Sequence, residues 1–512
     1  MLVINLHLNK CNQRRFFLPE LLDLQLEEGC NWLVHKIINR LSALRYLLIL
    51  ILSLSLVACK KPLNQLEQVK HDGVLVVATR NSPTTYYEGP DGSQGFEYDL
   101  VKQFAEELGV KLKIVTPPNL ADILSAVSRK EVDLAAAGLT ITDARKHIVR
   151  FGPPYQEITQ QLVYRLGTIR PRSLEDLVNK HLEVVADSSH VDQLEELQAV
   201  IPGLEWVENP ELGSGELLNL VWEQVIDYSV ADSNEVDLNR RFYPELKVAF
   251  DLSKPQPLAW AFAKSEDNSL FDAATKFFEK MRKSGELDII LERYYGHIER
   301  LNYVGTRTYI RHIHKRLPKF RPLFESAGKD NDLDWRLLAA IGYQESHWDP
   351  GARSPTGVRG IMMLTLNTAK YLGIEDRNDP AQSIKGGARY VKNLIGRIPE
   401  RIADPDRTWF ALAAYNVGLG HLEDARVITQ KRGGNPDAWK DVKDNLPLLS
   451  RKKWYKTTKF GYARGREPVR YVENIRSYYD LLIWYNKQQE ELVTLPPEDP
   501  VSEPVEITSP AL

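Results

Sequence analysis

The spacing of apolar residues changes along the chain, and the changes divide it into parts. Residues 47–58 form an almost unbroken apolar run, preceded by Arg40 and Arg45. From Leu75 onward short apolar runs alternate with longer stretches of helical period. Leu75 to Ala78 (LVVA) predicts a buried strand, Leu100 to Leu108 an amphipathic helix, and Leu112 to Val115 a second strand. Alternation of this kind predicts an α/β sheet. Past about residue 303 the strand signal fades and helical spacing dominates. Asp334 is a candidate N-cap for a helix that presents Leu337, Leu338 and Ile341 on one face. Phe410 to Tyr415, the trio Leu446, Leu448 and Leu449, and Tyr471 to Tyr485 supply further apolar faces of a mainly α module. From Gln488 the chain turns acidic and proline-rich, which predicts a disordered tail over 488–512.

At 512 residues the chain can bury two or three cores. A formal charge of −3 carries no broad basic bias, so nucleic acid is not an expected partner. Cys11, Cys30 and Cys59 are the three cysteines, and no disulfide can form beyond Cys59. Basic flank, apolar run and small residues before a break describe an export signal over 1–58, too short for a comfortable membrane span. Residues 1 to about 38 precede that pattern and receive no fold assignment.

Glu345 carries the candidate chemistry. It ends the Asp334 to Ser346 helix four residues after Ile341, so it points partly toward the buried face, where desolvation favours the protonated acid. Gly357 to Leu364 (GVRGIMML), Ala413 to Gly418 (AAYNVG) and Glu467 to Ile475 (EPVRYVENI) follow, apolar stretches with isolated polar groups. This ordered set resembles the lysozyme-like lytic transglycosylases of the family 1 type. The resemblance implies that Glu345 is the acid/base, that Ser346 assists at the N-acetyl sugar, that Tyr415 and Asn416 hold the saccharide, and that Tyr471 hydrogen-bonds near Glu345. Where that family has Gln, this chain has Met363, which leaves Met363 as cleft lining or core packing. The implied reaction needs one carboxylate, no metal and no organic cofactor, because the muramoyl 6-hydroxyl of the substrate acts as nucleophile. Asp349 and Glu473 keep a two-carboxylate hydrolase open as an alternative.

Four segments of the α/β part resemble the polar amino-acid-binding family of periplasmic solute-binding proteins. They are Gly95 to Leu108 (GFEYDLVKQFAEEL), Asp133 to Arg145 (DLAAAGLTITDAR), Phe151 to Tyr155 (FGPPY) and Gly285 to Gly296 (GELDIILERYYG). The likeness implies a two-lobed module over 59–300 in which Arg145 grips a ligand carboxylate, Thr140 lies in the cleft and Asp232 receives an amino group. An amino acid or a murein peptide is the implied ligand. Cys59 after Ala58 resembles a bacterial lipoprotein signal, with Cys59 acylated and the protein held on the periplasmic face of the outer membrane. An uncleaved anchor is the alternative. The expected whole is a membrane-attached murein lyase with its catalytic module over 301–487 and peptidoglycan strands as partner. A water-using muramidase and a non-enzymatic glycan or solute receptor are its rivals.

Overall fold

In the computed structural model, which describes residues 62–89, 92–296, 303–354 and 357–494, α1 (Gln65–Asp72) leads into β1 (Val74–Ala78). Leu75 and Val77 pack with Phe96, Leu100 and Phe104 of α2 (Phe96–Leu108). Ala78 faces the opposite core, with Ile123 and Val127 of α3 (Leu120–Ser128). A strand covered on both faces needs apolar residues at every position, which is why LVVA shows no polar alternation. β1 runs parallel to β2 (Lys111–Val115) and β3 (Leu134–Ala135), with Val77 opposite both Ile114 and Leu134.

After β4 (Val149–Phe151) the chain crosses to a second lobe. That lobe holds β5 (Gln160–Arg165), β6 (Leu182–Val185), β7 (Val207–Asn209), β8 (Tyr228–Asp232) and β9 (Leu246–Asp251). Its helices include α4 (Ser189–Gln198), α5 (Ser214–Glu223) and α6 (Ser233–Phe242). The chain returns through β10 (Ala261–Ala263) into α7 (Ser269–Ser284) and α8 (Glu286–Tyr295). The first sheet has the order β2-β1-β3-β10-β4, and the second β7-β6-β8-β5-β9. The two crossing segments pair antiparallel, Gln156 to Ile158 against Gln256 to Leu258, the place where a two-lobed module hinges.

The rest is helical: α9 (Tyr303–Lys315), α10 (Arg321–Asn331), α11 (Trp335–Ser346), α12 (Pro380–Arg397), α13 (Asp406–Val417), α14 (Leu419–Lys431), α15 (Trp439–Asn445) and α16 (Arg466–Thr494). The fold is thus an α/β two-lobed, binding-protein-like domain followed by a mainly α lysozyme-like domain. Two expectations change. Residues 337–343 of α11 are all buried, so this helix is the centre of its domain and is wrapped on every side, where one apolar face was expected. The helix α16 also runs through 488–494, because Gln, Glu and Leu at those positions are good helix formers and the first residue unable to continue is Pro496. Disorder from Gln488 is therefore overturned for 488–494. The export signal, Cys59 and residues 495–512 lie outside the described residues. Among the described residues no helix is long and apolar enough to cross a membrane.

The two domains are locked by α16. Arg476, 2% exposed, donates from Nη1 to Glu292 Oε1 at 2.7 Å and from Nη2 to the carbonyls of Glu292 and Arg293 at 3.2 and 2.8 Å. Lys443 Nζ reaches the same Glu292 oxygen at 3.0 Å. Further along the helix Asp480 accepts from Arg241 of α6, and Trp484 stacks on Phe242 with ring centroids 5.1 Å apart. One helix therefore touches both lobes: α8 packs with the first, and α6 belongs to the second.

Candidate active site

Asp334 caps α11 as its local sequence predicts, accepting from Arg336 N at 2.8 Å. The same carboxylate accepts from Tyr479 of α16 at 2.6 Å. At the other end of α11, Tyr471 Oη donates to Glu345 Oε1 at 2.5 Å, and between the two Asn474 Nδ2 donates to Gln344 Oε1 at 3.0 Å. α16 thus runs antiparallel to α11 and holds it at both ends. Right after Ser346 the backbone turns left-handed twice, at His347 (φ 53°) and Trp348 (φ 57°). Such conformations are uncommon outside glycine. They persist here because Trp348 is buried under the helix and donates Nε1 to Ala339 O at 2.8 Å. This reversal leaves Glu345 at the helix end, half-buried.

Burial pushes the Glu345 carboxyl up to about 7, and the Tyr471 hydrogen bond pulls the other way. Tyr471 stacks on Tyr415, with centroids 6.2 Å apart and planes 14° from parallel, and Tyr390 packs against Tyr415 at 5.2 Å. The Tyr415 hydroxyl is committed, donating to Met362 O at 2.7 Å, and its ring is half-buried between Tyr390 and Tyr471. Ser346 Oγ lies 3.0 Å from Gly342 O and 2.9 Å from Ile361 O, which ties the end of α11 to the turn after Gly360. That turn needs glycine: Gly360 has φ 85°, and a Cβ there would sit 1.8 Å from Arg377 O. Met362 fills the space over Gly387, where an added Cβ would lie 2.7 Å from the Met362 thioether methyl. Met363 is half-buried with φ 45°, beside the turn, and Asn416 is exposed in the last turn of α13. Glu345, Ser346, Tyr415 and Tyr471 are joined directly or through this turn. Tyr390 and Asn474 complete the arrangement, and neither stood out in the sequence.

The other two carboxylates do not share this geometry. Asp349 is exposed and caps Gly351 N at 2.9 Å. Glu473 is buried two residues after Tyr471, about 200° around α16 from the ring that meets Glu345.

In the two-lobed domain, Arg145 is buried and donates to Thr140 O at 3.3 Å in its own lobe and to Asp187 O at 3.1 Å in the other. Thr140 Oγ1 meets Ser189 Oγ at 3.3 Å across the same cleft. Asp232 is also buried, with Oδ1 3.0 Å from His190 Nε2. The three expected residues therefore face one cleft. Sequence reading missed Arg80, which bridges the lobes to Glu235 at 2.8 Å, and Glu97, which accepts from Gly138 N at 2.8 Å and from Tyr155 Oη. Burial pushes Glu97 up to about 7. Glu97 stands inside the GFEYDL stretch, so a signal for it was present; Arg80 had none.

Comparison with known proteins agrees with this two-part plan. Residues 75–297 match the model of bacterial extracellular solute-binding proteins, family 3, and residues 322–437 match the transglycosylase SLT domain. The membrane-bound lytic murein transglycosylase F of Saccharophagus degradans is 51% identical over 430 residues, covering 84% of this chain and 86% of that protein. Its counterpart in Pseudomonas fluorescens is 49% identical over 448 residues, covering 87% and 92%. Among solved structures, an arginine-binding protein mutant from T. maritima is 26% identical with a TM-score of 0.41, covering 45% of this chain and 99% of its own. With half the residues shared along most of both chains, the chain belongs to the membrane-bound lytic murein transglycosylase F family.

Proposed function

We propose that this chain cleaves the bond between N-acetylmuramic acid and N-acetylglucosamine in peptidoglycan, with Glu345 as the one acid/base. The observation that carries the reading is a carboxyl held up to about 7 beside Tyr471, with Asp349 and Glu473 directed elsewhere. Glu345 protonates the glycosidic oxygen as the bond breaks. The resulting carboxylate then takes the proton of the muramoyl 6-hydroxyl, whose oxygen closes a 1,6-anhydro ring at the former glycosidic carbon. The half-buried Tyr415 and the exposed amide of Asn416 hold the saccharide, with the buried Tyr471 packed behind them against Glu345. Ser346 acts by fixing the turn that carries Met363. Mass analysis of soluble products from purified sacculi tests the reaction class: each muramoyl end should be one water lighter than a hydrolysis product. Products of full mass would favour a muramidase.

The titration of Glu345 gives this reading a pH signature. As free enzyme the acid form is the competent one, so kcat/KM should fall above about pH 7, about tenfold per unit. Tyr471→Phe removes the bond that favours the ionised form, so the alkaline limb should move to higher pH while the rate drops. An unmoved limb would leave Tyr471 a packing residue.

The same reading assigns the two-lobed domain a carboxylate-bearing ligand, an amino acid or a peptide released from murein, gripped by Arg145. Lobe motion would reach the catalytic domain through α16, which touches both lobes and carries Tyr471. Arg145→Ala should then abolish the effect of added murein peptides on product formation and leave peptide-free cleavage intact. A parent that binds these peptides with no change in rate would point to targeting.

Membrane attachment is assigned to Cys59 as a lipoprotein-type acylation site, with the protein on the periplasmic face of the outer membrane. Cys59→Ala should remove the lipid mass and move the protein toward the soluble or unprocessed fraction. Unchanged retention and unchanged mass would support an uncleaved anchor.

A further inference from the structure

We propose that the first lobe docks on anionic lipid headgroups through a basic groove beside the point where the chain enters the fold. The groove encloses about 470 Å³, and its walls include Lys146, Arg150, Phe151, Lys264 and Ser265. Lys130 Nζ adds a fourth cation at the rim, 3.2 Å from Ser265 Oγ. Arg150 lies 3.4 Å over the Phe271 ring and donates to Asn268, an amide, and Lys264 donates to the His147 carbonyl at 3.0 Å. Of these four cations, Lys146 has a carboxylate within salt-bridge distance among the described residues, the exposed Asp143 at 2.8 Å. Asp267 lies close by as an anion, held ionised by the Ser269 and Gln65 N–H donors and facing Lys130, and the exposed Glu266 adjoins Ser265, so Lys130 is offset and the uncompensated charge is that of Arg150 and Lys264.

Those last contacts decide which anion is at hand. Gln65 N is bound to Asp267 and Leu66 N to Ser269 Oγ, so the chain enters the first lobe close to Ser265. Cys59 is six residues before Gln65, a stretch that spans at most about 20 Å. The inference rests on the membrane attachment proposed above: whether the anchor is a lipid on Cys59 or the apolar run before it, the groove stays within a short tether of the headgroups. Lys or Arg near an anionic leaflet raises partitioning by about fivefold per residue. Ile148, 48% exposed between Lys146 and Arg150, places an apolar side chain at the same surface.

The experiment uses the full chain purified from membranes and reconstituted into phosphatidylcholine vesicles, with or without about a third phosphatidylglycerol. A fluorophore on Ile148→Cys is read by its quenching with spin-labelled lipid. Quenching should appear in the anionic vesicles, and it should fall to the neutral-vesicle level in high salt or in the Lys130→Gln/Lys146→Gln/Lys264→Gln variant. Murein cleavage by that variant, equal to the parent's, would show that its fold is intact. Equal quenching in both vesicle types, or none in the anionic ones, overturns the proposal. So does quenching relieved by inorganic phosphate but not by chloride of equal ionic strength, which would make the groove a site for a soluble anion. The mass of Cys59 is measured on the same sample. An unmodified Cys59 ends the acylation reading, and the quenching is then read on Ile148→Cys in a chain carrying Cys11→Ser, Cys30→Ser and Cys59→Ser, so that the label reports on the groove alone.

Discussion

Glu345→Gln is expected to lower murein cleavage by about 10²- to 10⁴-fold while making the protein more stable at alkaline pH. Both effects come from one carboxyl. The amide keeps the shape and can still accept the Tyr471 hydrogen bond, but it has no proton to give the leaving oxygen. The stability change follows from linkage. The folded carboxyl titrates near 7, above the ordinary 4.5, so its contribution is full below 4.5 and is lost as pH rises through 7. Discounted for its partial exposure, the loss is about 2–3 kcal/mol. The amide does not titrate and has no such loss, so thermal unfolding of the variant should match the parent at about pH 4 and exceed it by several degrees at about pH 8.5. Cleavage within a few-fold of the parent would remove Glu345 from the mechanism. Equal midpoints at the alkaline pH would remove burial as the reason for its titration.

Arg476→Met is expected to cost about 3–5 kcal/mol. Methionine fills the volume beside Trp409, but Glu292 keeps Lys443 alone, and the carbonyls of Glu292 and Arg293 lose their donor. A buried carboxylate left half-paired is worse than no carboxylate. The double variant Arg476→Met/Glu292→Gln should therefore recover a large part of the loss, which denaturant unfolding of the four proteins measures as a coupling energy. Additive losses would mean that Arg476 acts through packing on Trp409 and that the ion pair is incidental. Hydrogen exchange in the parent and in Arg476→Met should differ most in α8 and α16.

What could be read in advance was what is local. Asp334 as a cap, Glu345 at a helix end and LVVA as a doubly covered strand each depend on a few neighbouring residues, and the structure has all three. The burial of α11 on every side was hidden, because Ala339, Ala340 and Gly342 look neutral in a pattern and reveal nothing until other helices press on them. The left-handed pair at His347 and Trp348 was hidden for a related reason. Tryptophan does not favour that backbone, and it is the burial of the indole that enforces it. Arg476 illustrates the limit most clearly: in a sequence an arginine reads as one more solvated charge, and its partner is 184 residues away. Ser346 was associated with the sugar through family likeness, whereas its hydroxyl lies between two backbone carbonyls.

The contacts of α16 also bear on when the protein becomes an enzyme during its own manufacture. Tyr471, Asn474 and Tyr479 are supplied by the last helix among the described residues, and they grip both ends of the helix that carries Glu345. A ribosome makes that helix after everything it holds in place, and on the export proposed above the chain would thread the membrane in the same order. Until Tyr471 has crossed, Glu345 has neither its phenolic partner nor the wall that crowds it. The nascent chain would thus stay harmless to the sacculus that it is entering, with catalytic competence arriving at the end of translocation together with the helix that joins the two domains.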